Sequence, residues 1–500
     1  MNARRWLLPS FSVMLWLVVF LNLCFSDRRL VMINADGDPS LHRRLGNWMI
    51  EHRAVLRADE FSHTRFGAPL ISKEWLGEVL FAAAENRLGW NGAVLVAALL
   101  IATTLWLLHR WLLAEGCELL LATGLVLLAG LASSHHWLAR PHLVTHLLTV
   151  VFAWQLRAFD RNPNARPVWL FMWLVPLMAL WANLHGAFFT GFLLLGIYAA
   201  GNLTQPRKLA TLVAVSAACL AASFINPNGW HLHEHILQFL RDPLLAKFTN
   251  EFRSPDFHSG AMHGFLLQLL ALAAVLLVAR PRLRATDTLL VGVCGVLALQ
   301  MVRNVPIFAI VITPILAEHW QAVLTKARSG GLLAIYHRFS TNVTRLSCSA
   351  DGRATAMLAL VAVVAIMAKP QAVGSKPILV TEIMTNRFPV AAVQFLQQNP
   401  AVIHGEMFND YGWGGYLELA LTDHKVFVDG RNDFFGPTLI KEFDTVNRVQ
   451  PGWDADLQKY NVGWTILPRA HPLNQLLALH KDWSLSYTDD VTTIYSRLTN

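Results

Sequence analysis

The chain has 500 residues, of which 54% are hydrophobic and only 15% charged, with a mean hydropathy of +0.40. That much apolar surface excludes a water-soluble globular protein. The formal net charge of +8 sits beside apolar runs rather than in one basic patch, so it reads as a topology signal and argues against nucleic acid as a partner.

A hydrocarbon core about 30 Å thick is crossed by roughly 17 to 25 apolar residues in helical form. Runs of this kind predict a polytopic α-helical protein whose first partner is the lipid bilayer, with about eleven spans. In chain order these are Trp6–Phe25, Trp90–Leu108, Leu119–Leu138, Leu143–Phe159, Val168–Leu184, Phe188–Gly201, Leu209–Phe224, Gly264–Val278, Thr288–Val302, Ile307–Ala322 and Thr355–Met367. Cytoplasmic loops retain Lys and Arg. Placing Arg4 and Arg5 inside also puts Arg110, Arg157 with Arg161 and Arg166, Arg207 with Lys208, the Arg280 to Arg284 group and the Lys326 to Arg353 loop inside. An odd span count then exports the C-terminus. The first span ends in Leu-Cys-Phe-Ser, with no A-x-A-like cleavage site, and reads as an uncleaved anchor. The five cysteines show neither a disulfide framework nor zinc spacing. The expected division is a transmembrane domain over 1–369, with an acidic first outer loop at 26–75 and a further outer loop at 226–263, followed by an extracytoplasmic α/β domain over 370–500.

The first outer loop carries Asp36 and Asp38 just beyond the first span, then Asp59 and Glu60, then Glu74. From Asp38 onward, Leu41, Leu45, Trp48 and Met49 recur at helical spacing, which predicts an amphipathic helix suited to the membrane interface. These acids either cap such helices and balance Arg43, Arg44, Arg53 and Arg57, or do chemistry. The outer ends of later spans are rich in cations and imidazoles: Arg140, His142 and His146 at one turn, Asn183 and His185 at another, Arg303 and Asn304 at a third. Ionisable groups at membrane depth are costly unless they face a cavity or a partner. Cations so placed suit a phosphate, and nearby carboxylates suit a proton. His231, His233 and His235 only partly match a metal spacing.

In the C-terminal region, Val390–Gln397 reads as a helix, and GEMFNDYGWGGYLELAL, HKVFVDGR, VGWTILPR and WSLSYTDDVTTIYSR carry strand-like runs. Asp410, Asp429 and Arg431 stand at the ends of such runs. They are candidates for a site above the sheet, although ordinary turns use the same residues.

The D-G-D at Asp36 to Asp38, His42, Gly46 and Ile50, then D-E-F-S-H-T, Gly67 and E-W-L, together with RPHLVTHLL, ALWANLHGAF, NPNGWHLHEHI and SPDFHS, resemble an uncharacterised bacterial group of GT-C-like proteins over nearly the whole chain. GT-C enzymes are membrane glycosyltransferases that take sugars from polyprenyl-phosphate carriers. NDYGWGGYL followed by VFVDGR is more distantly similar to the oligosaccharyltransferase catalytic subunit, but Met407-Phe408-Asn409 stands where that family has paired tryptophans, so acceptor recognition does not carry over.

The resemblance implies a bacterial cytoplasmic-membrane protein with its N-terminus inside. The implied reaction is inverting sugar transfer from a polyprenyl-phosphate donor to an extracytoplasmic glycan, lipid or protein acceptor. It makes Asp36 or Asp38 the base, or the ligand of a divalent cation such as Mg or Mn, and Asp59 with Glu60 the second acidic element. His42, Arg140, His142, His185, Arg303, Asn304, Asp410, Asp429 and Arg431 are then candidates for holding substrate. Two other classes remain open. A transporter or flippase of a lipid-linked envelope precursor would be expected to show inverted repeats and midplane polar residues, which are not apparent. A non-catalytic scaffold would tolerate loss of the first-loop acids.

Overall fold

The computed structural model describes residues 6–162, 166–241, 249–327, 331–348, 351–368, 379 and 381–498. Arg4, Arg5 and the expected boundary at 369/370 lie outside the described residues. Each expected span overlaps a helix, from Phe11–Phe25 through Trp90–Ala114, Leu143–Arg161 and Val305–Lys326 to Arg353–Ala368. Among the described residues, five helices are long and apolar enough to cross a membrane, or six if Phe11–Phe25 and Arg28–Asn34 are one bent span. Gly186–Gly201, Ala285–Gln300 and Arg353–Ala368 are apolar but shorter. Large apolar side chains such as Trp169, Met172, Leu270 and Leu277 point outward, as expected where lipid replaces water.

The first span breaks at Ser26-Asp27, and the chain turns by 66° into Arg28–Asn34. This short helix ends at the D-G-D turn, which leads into the expected amphipathic helix, Asp38–His52. Its apolar face does not lie in lipid. Leu41, Leu45 and Met49 join Leu56, Phe61 and Leu70 in one core with Phe408, Phe427, Phe434 and Phe443 from the C-terminal region. The other side packs on Trp75–Leu88, where Gly46 lies so close to the Glu78 carbonyl that a side chain would collide with it.

The C-terminal region forms a four-stranded mixed sheet in the order β1-β2-β4-β3, from Glu406–Asn409 (β1), Val462–Pro468 (β2), Trp483–Thr488 (β3) and Thr492–Arg497 (β4). β1 runs parallel to β2, and β4 is antiparallel to β2 and β3. The expected helix is present at Val390–Gln398. HKVFVDGR is not a strand. The Asn409 side chain accepts from Phe427 N at 2.8 Å and donates to Val428 O at 2.9 Å, standing in for a ladder. Val426 instead exchanges backbone bonds with Phe61 and His63 of the first outer loop, so that loop and the C-terminal region share one folded body.

Candidate active site

Asp36 and Asp38 flank Gly37 in the turn that opens Asp38–His52, and Asp38 N donates to Asp36 Oδ1 at 3.1 Å. The turn reaches its position because Ala139 N donates to Met32 O at 2.8 Å, which draws in the loop carrying Arg140. Arg140 Nη1 then lies 2.8 Å from both Asp36 Oδ2 and Asp38 Oδ2, and Nη2 lies 2.9 Å from Glu251 Oε1. Three carboxylates therefore share one buried guanidinium. Burial raises the Asp36 pKa, Arg140 opposes that, and the charges of Asp38 and Glu251 add to it, leaving Asp36 at about 6. Burial also penalises the Glu251 charge, but Arg140 and His136 prevail and hold it well below the usual carboxylate range.

The turn is roofed by the C-terminal region. A methyl group on Gly37 would collide with the Gly412 carbonyl, and one on Gly430 would collide with Asp38 Oδ1. The glycines of D-Y-G-W-G-G and D-G-R thus allow backbone to sit directly on the acidic turn.

Below the turn is a cavity of about 360 Å³. On its floor His42 Nδ1 lies 3.3 Å from Glu78 Oε1 and Nε2 lies 3.9 Å from Glu74 Oε2. His185 Nε2 lies 3.6 Å from Glu74 Oε1. Trp181 donates to Thr145 Oγ1 at 2.9 Å, and Thr145 Oγ1 is 2.8 Å from His185 Nδ1, which also accepts from Ala187 N. His185 Nδ1 is thereby the acceptor, and its Nε2 proton faces Glu74. Burial raises the Glu74 pKa despite the charges of His42, Lys73 and Arg140. It lowers that of His42, but Glu78, Glu74 and Asp38 win and raise it.

One wall is an ion cluster: Asp433 Oδ2 lies 2.5 Å from Lys73 Nζ and 2.8 Å from His235 Nε2. The Lys73 charge and the His235 hydrogen bond hold Asp433 below the usual carboxylate range against the cost of burial. The Arg303 guanidinium, also on the lining, lies 4.7 Å over the Phe252 ring, and among the described residues no carboxylate lies within salt-bridge distance of it. Asn304 Nδ2 donates to Leu297 O at 3.2 Å and fixes that turn.

Of the residues expected from sequence, Asp36, Asp38, His42, Arg140 and His142 line this cavity, as do His185, Arg303, Asn304 and Arg431. Four do not. Asp59 and Asp429 are fully buried behind Arg431, where they pair with its guanidinium alongside Glu418. Glu60 accepts from Trp48 Nε1 at 2.8 Å on an exposed face. Asp410 spends its carboxylate on Gly412 N, at 2.8 Å, as the cap of a turn. Glu251, Lys73, Asp433 and Tyr411 also line the cavity and were not expected. Their partners lie far away in sequence, so no local spacing announced them.

A divalent cation on Asp36 and Asp38 does not fit this arrangement. Arg140 stands where the three carboxylates converge, and among the described residues no group of three acids, histidines or cysteines is arranged to hold an ion.

No protein-family model matches the sequence, and no curated protein matches it. Solved structures do. ArnT from Cupriavidus metallidurans bound to undecaprenyl phosphate aligns with a TM-score of 0.52 at 14% identity, over 97% of this chain and 98% of that one. The archaeal oligosaccharyltransferase AglB from Archaeoglobus fulgidus, in complex with an inhibitory peptide and a dolichol-phosphate, aligns with a TM-score of 0.57 at 11% identity, over 98% of this chain and 74% of that one. The same oligosaccharyltransferase in complex with Zn and sulfate aligns with a TM-score of 0.53 at 12% identity, over 97% of this chain and 73% of that one. The GT-C resemblance read from the sequence therefore holds at the level of the fold.

Proposed function

We propose that this chain transfers a sugar from a polyprenyl-phosphate donor to an extracytoplasmic glycan, lipid or protein acceptor, with inversion at the anomeric carbon. The observation that carries the reading is the convergence of Asp36, Asp38 and Arg140 on a half-enclosed cavity whose lining also bears Arg303. The carriers bound by ArnT and by AglB, which share the fold, support it. So does the membrane-embedded helical bundle, in which the proposal counts eleven spans with residue 36 and the C-terminal region on the outer side of a bacterial cytoplasmic membrane.

In this mechanism Asp36 is the base. As the acceptor oxygen bonds to the anomeric carbon, Asp36 takes the acceptor proton, and the bond from that carbon to the phosphate oxygen breaks with its electron pair on the phosphate. A base whose pKa lies near the working pH suits this task. Arg140 orients both carboxylates, and Arg303 stabilises the charge on the leaving phosphate. His42, His142 and His185, with Asn304 and Arg431, shape the sugar pocket, and the C-terminal roof excludes water. Asp59 and Asp429 act by holding Arg431; Glu60 and Asp410 receive no role in the transfer.

The test is sugar transfer from a polyprenyl-phosphate donor in proteoliposomes. Activity is expected from the intact chain and not from Asp36→Asn; unchanged turnover in both Asp36→Asn and Asp38→Asn would remove the acidic turn from the reaction.

A further inference from the structure

We infer that the cavity takes a donor joined to its lipid through a single phosphate, anchored by Arg303, and discriminates against a diphosphate-linked carrier. The inference deepens the glycosyl-transfer reading and rests on it.

It follows from an account of charge. Four cationic side chains line the cavity: Lys73, Arg140, Arg303 and Arg431. Arg140 is shared by Asp36, Asp38 and Glu251. Arg431 is shared by Asp59, Glu418 and Asp429. Lys73 is paired with Asp433. Of these four, only Arg303 has no carboxylate within salt-bridge distance among the described residues: it stacks on the face of Phe252, and its charge is felt by Glu251, His185 and Lys73 without pairing with any of them. That stacking leaves the edge of the guanidinium, with its N–H donors, free for two oxygens of one phosphate.

The imidazoles do not change this account. Burial, His136 and Arg140 hold His142 well below its usual range, and burial with Arg303 and Lys73 does the same for His185, so both are neutral. The same burial beside His136 applies to His146, His42 is engaged by Glu74 and Glu78, and His136 lies 3.5 Å from Glu251. The remaining walls carry carboxylates. A phosphodiester brings one negative charge, which Arg303 offsets. A diphosphate diester brings two, and the second would face acids. The usual remedy, a divalent cation between the phosphates and carboxylates, is closed off because Arg140 already occupies that point.

The experiment uses the full chain in lipid nanodiscs, with the methyl esters of undecaprenyl phosphate and of undecaprenyl diphosphate, diesters that carry one and two negative charges, titrated separately and binding read by native mass spectrometry, in EDTA and again with added Mn²⁺. The monophosphate is expected to bind at least about tenfold more tightly under both conditions. Arg303→Ala should lose about tenfold or more of that affinity, and Arg303→Lys, which keeps the charge, should retain most of it. Equal or tighter binding of the diphosphate overturns the inference, as does diphosphate binding that appears only with Mn²⁺. So does undiminished monophosphate binding by a folded Arg303→Ala protein. The wild-type selectivity stands as a test even if that variant fails to fold. Binding of neither carrier would overturn the glycosyl-transfer reading itself, whereas diphosphate preference would overturn only the present claim.

Discussion

Asp36 carries the most direct pH signature in the molecule. Its carboxyl sits near 6 because burial and two like charges outweigh Arg140, and a base works only when ionised. Sugar transfer is therefore expected to fall as pH drops through about 6, with the acid limb reporting this group. Asp36→Asn should lower turnover by about 10² to 10⁴-fold and abolish that limb in the residual rate; a limb unchanged in Asp36→Asn would assign it elsewhere. At this scale the sequence was partly legible. Asp36, Asp38 and Arg140 are ionisable groups at the ends of apolar runs, and the cost of leaving them unpaired there marks them without any structure. Glu251 and Asp433 carried no such mark, because Arg140 is 111 residues from the first and Lys73 is 360 residues from the second.

Two elements hold the acidic turn, and each has its own test. The first is the glycine contact at the roof. Gly430→Ala places a methyl group against Asp38 Oδ1, so the carboxylate must move or the roof must lift, at a cost of about 1 to 3 kcal/mol. Turnover should fall more steeply than the thermal unfolding midpoint, measured on the same detergent-solubilised preparation; unaltered turnover would show that the roof need not touch the turn. The second element is the Arg431 cluster, in which one guanidinium pairs with the buried Asp59 and Asp429 and lies 3.4 Å from Glu418, which burial and the Asp429 charge hold well above the usual carboxylate range. Arg431→Ala strands those carboxylates and should destabilise by about 3 to 5 kcal/mol. Limited proteolysis should then open the region after residue 388 first; wild-type resistance would mean the acids have other partners. Helices were legible at this scale because long apolar runs and 3.6-residue spacing are strong signals. HKVFVDGR misled because its β-branched content serves burial of Val426, Phe427 and Val428, while its backbone is satisfied by Asn409 and the first outer loop rather than by a sheet.

At the scale of the whole molecule, the first outer loop and the C-terminal region form one body whose core they build together, a union that a division at residue 369 conceals. The bundle below it has two chemically different ends. The helix Leu143–Arg161 has 19 residues, roughly 28 Å at 1.5 Å per residue, so its two ends sit about a bilayer core apart. Next to its first turn are Arg140 and the histidine-lined cavity. Towards its other end Arg157 is buried among Glu115, Asp287 and Glu318, on the side that carries the basic loops expected to be cytoplasmic. That asymmetry supports the orientation proposed above, which is open to a direct test. In a cysteine-free background, Leu479→Cys on the C-terminal region, where Leu479 is 86% exposed, should react with a membrane-impermeant maleimide added to intact spheroplasts. Arg110→Cys, exposed near the far end of Trp90–Ala114, should react only after lysis. The reverse pattern would put the acidic turn in the cytosol, away from an extracytoplasmic acceptor, and the proposed reaction would lose its substrate whatever the cavity binds.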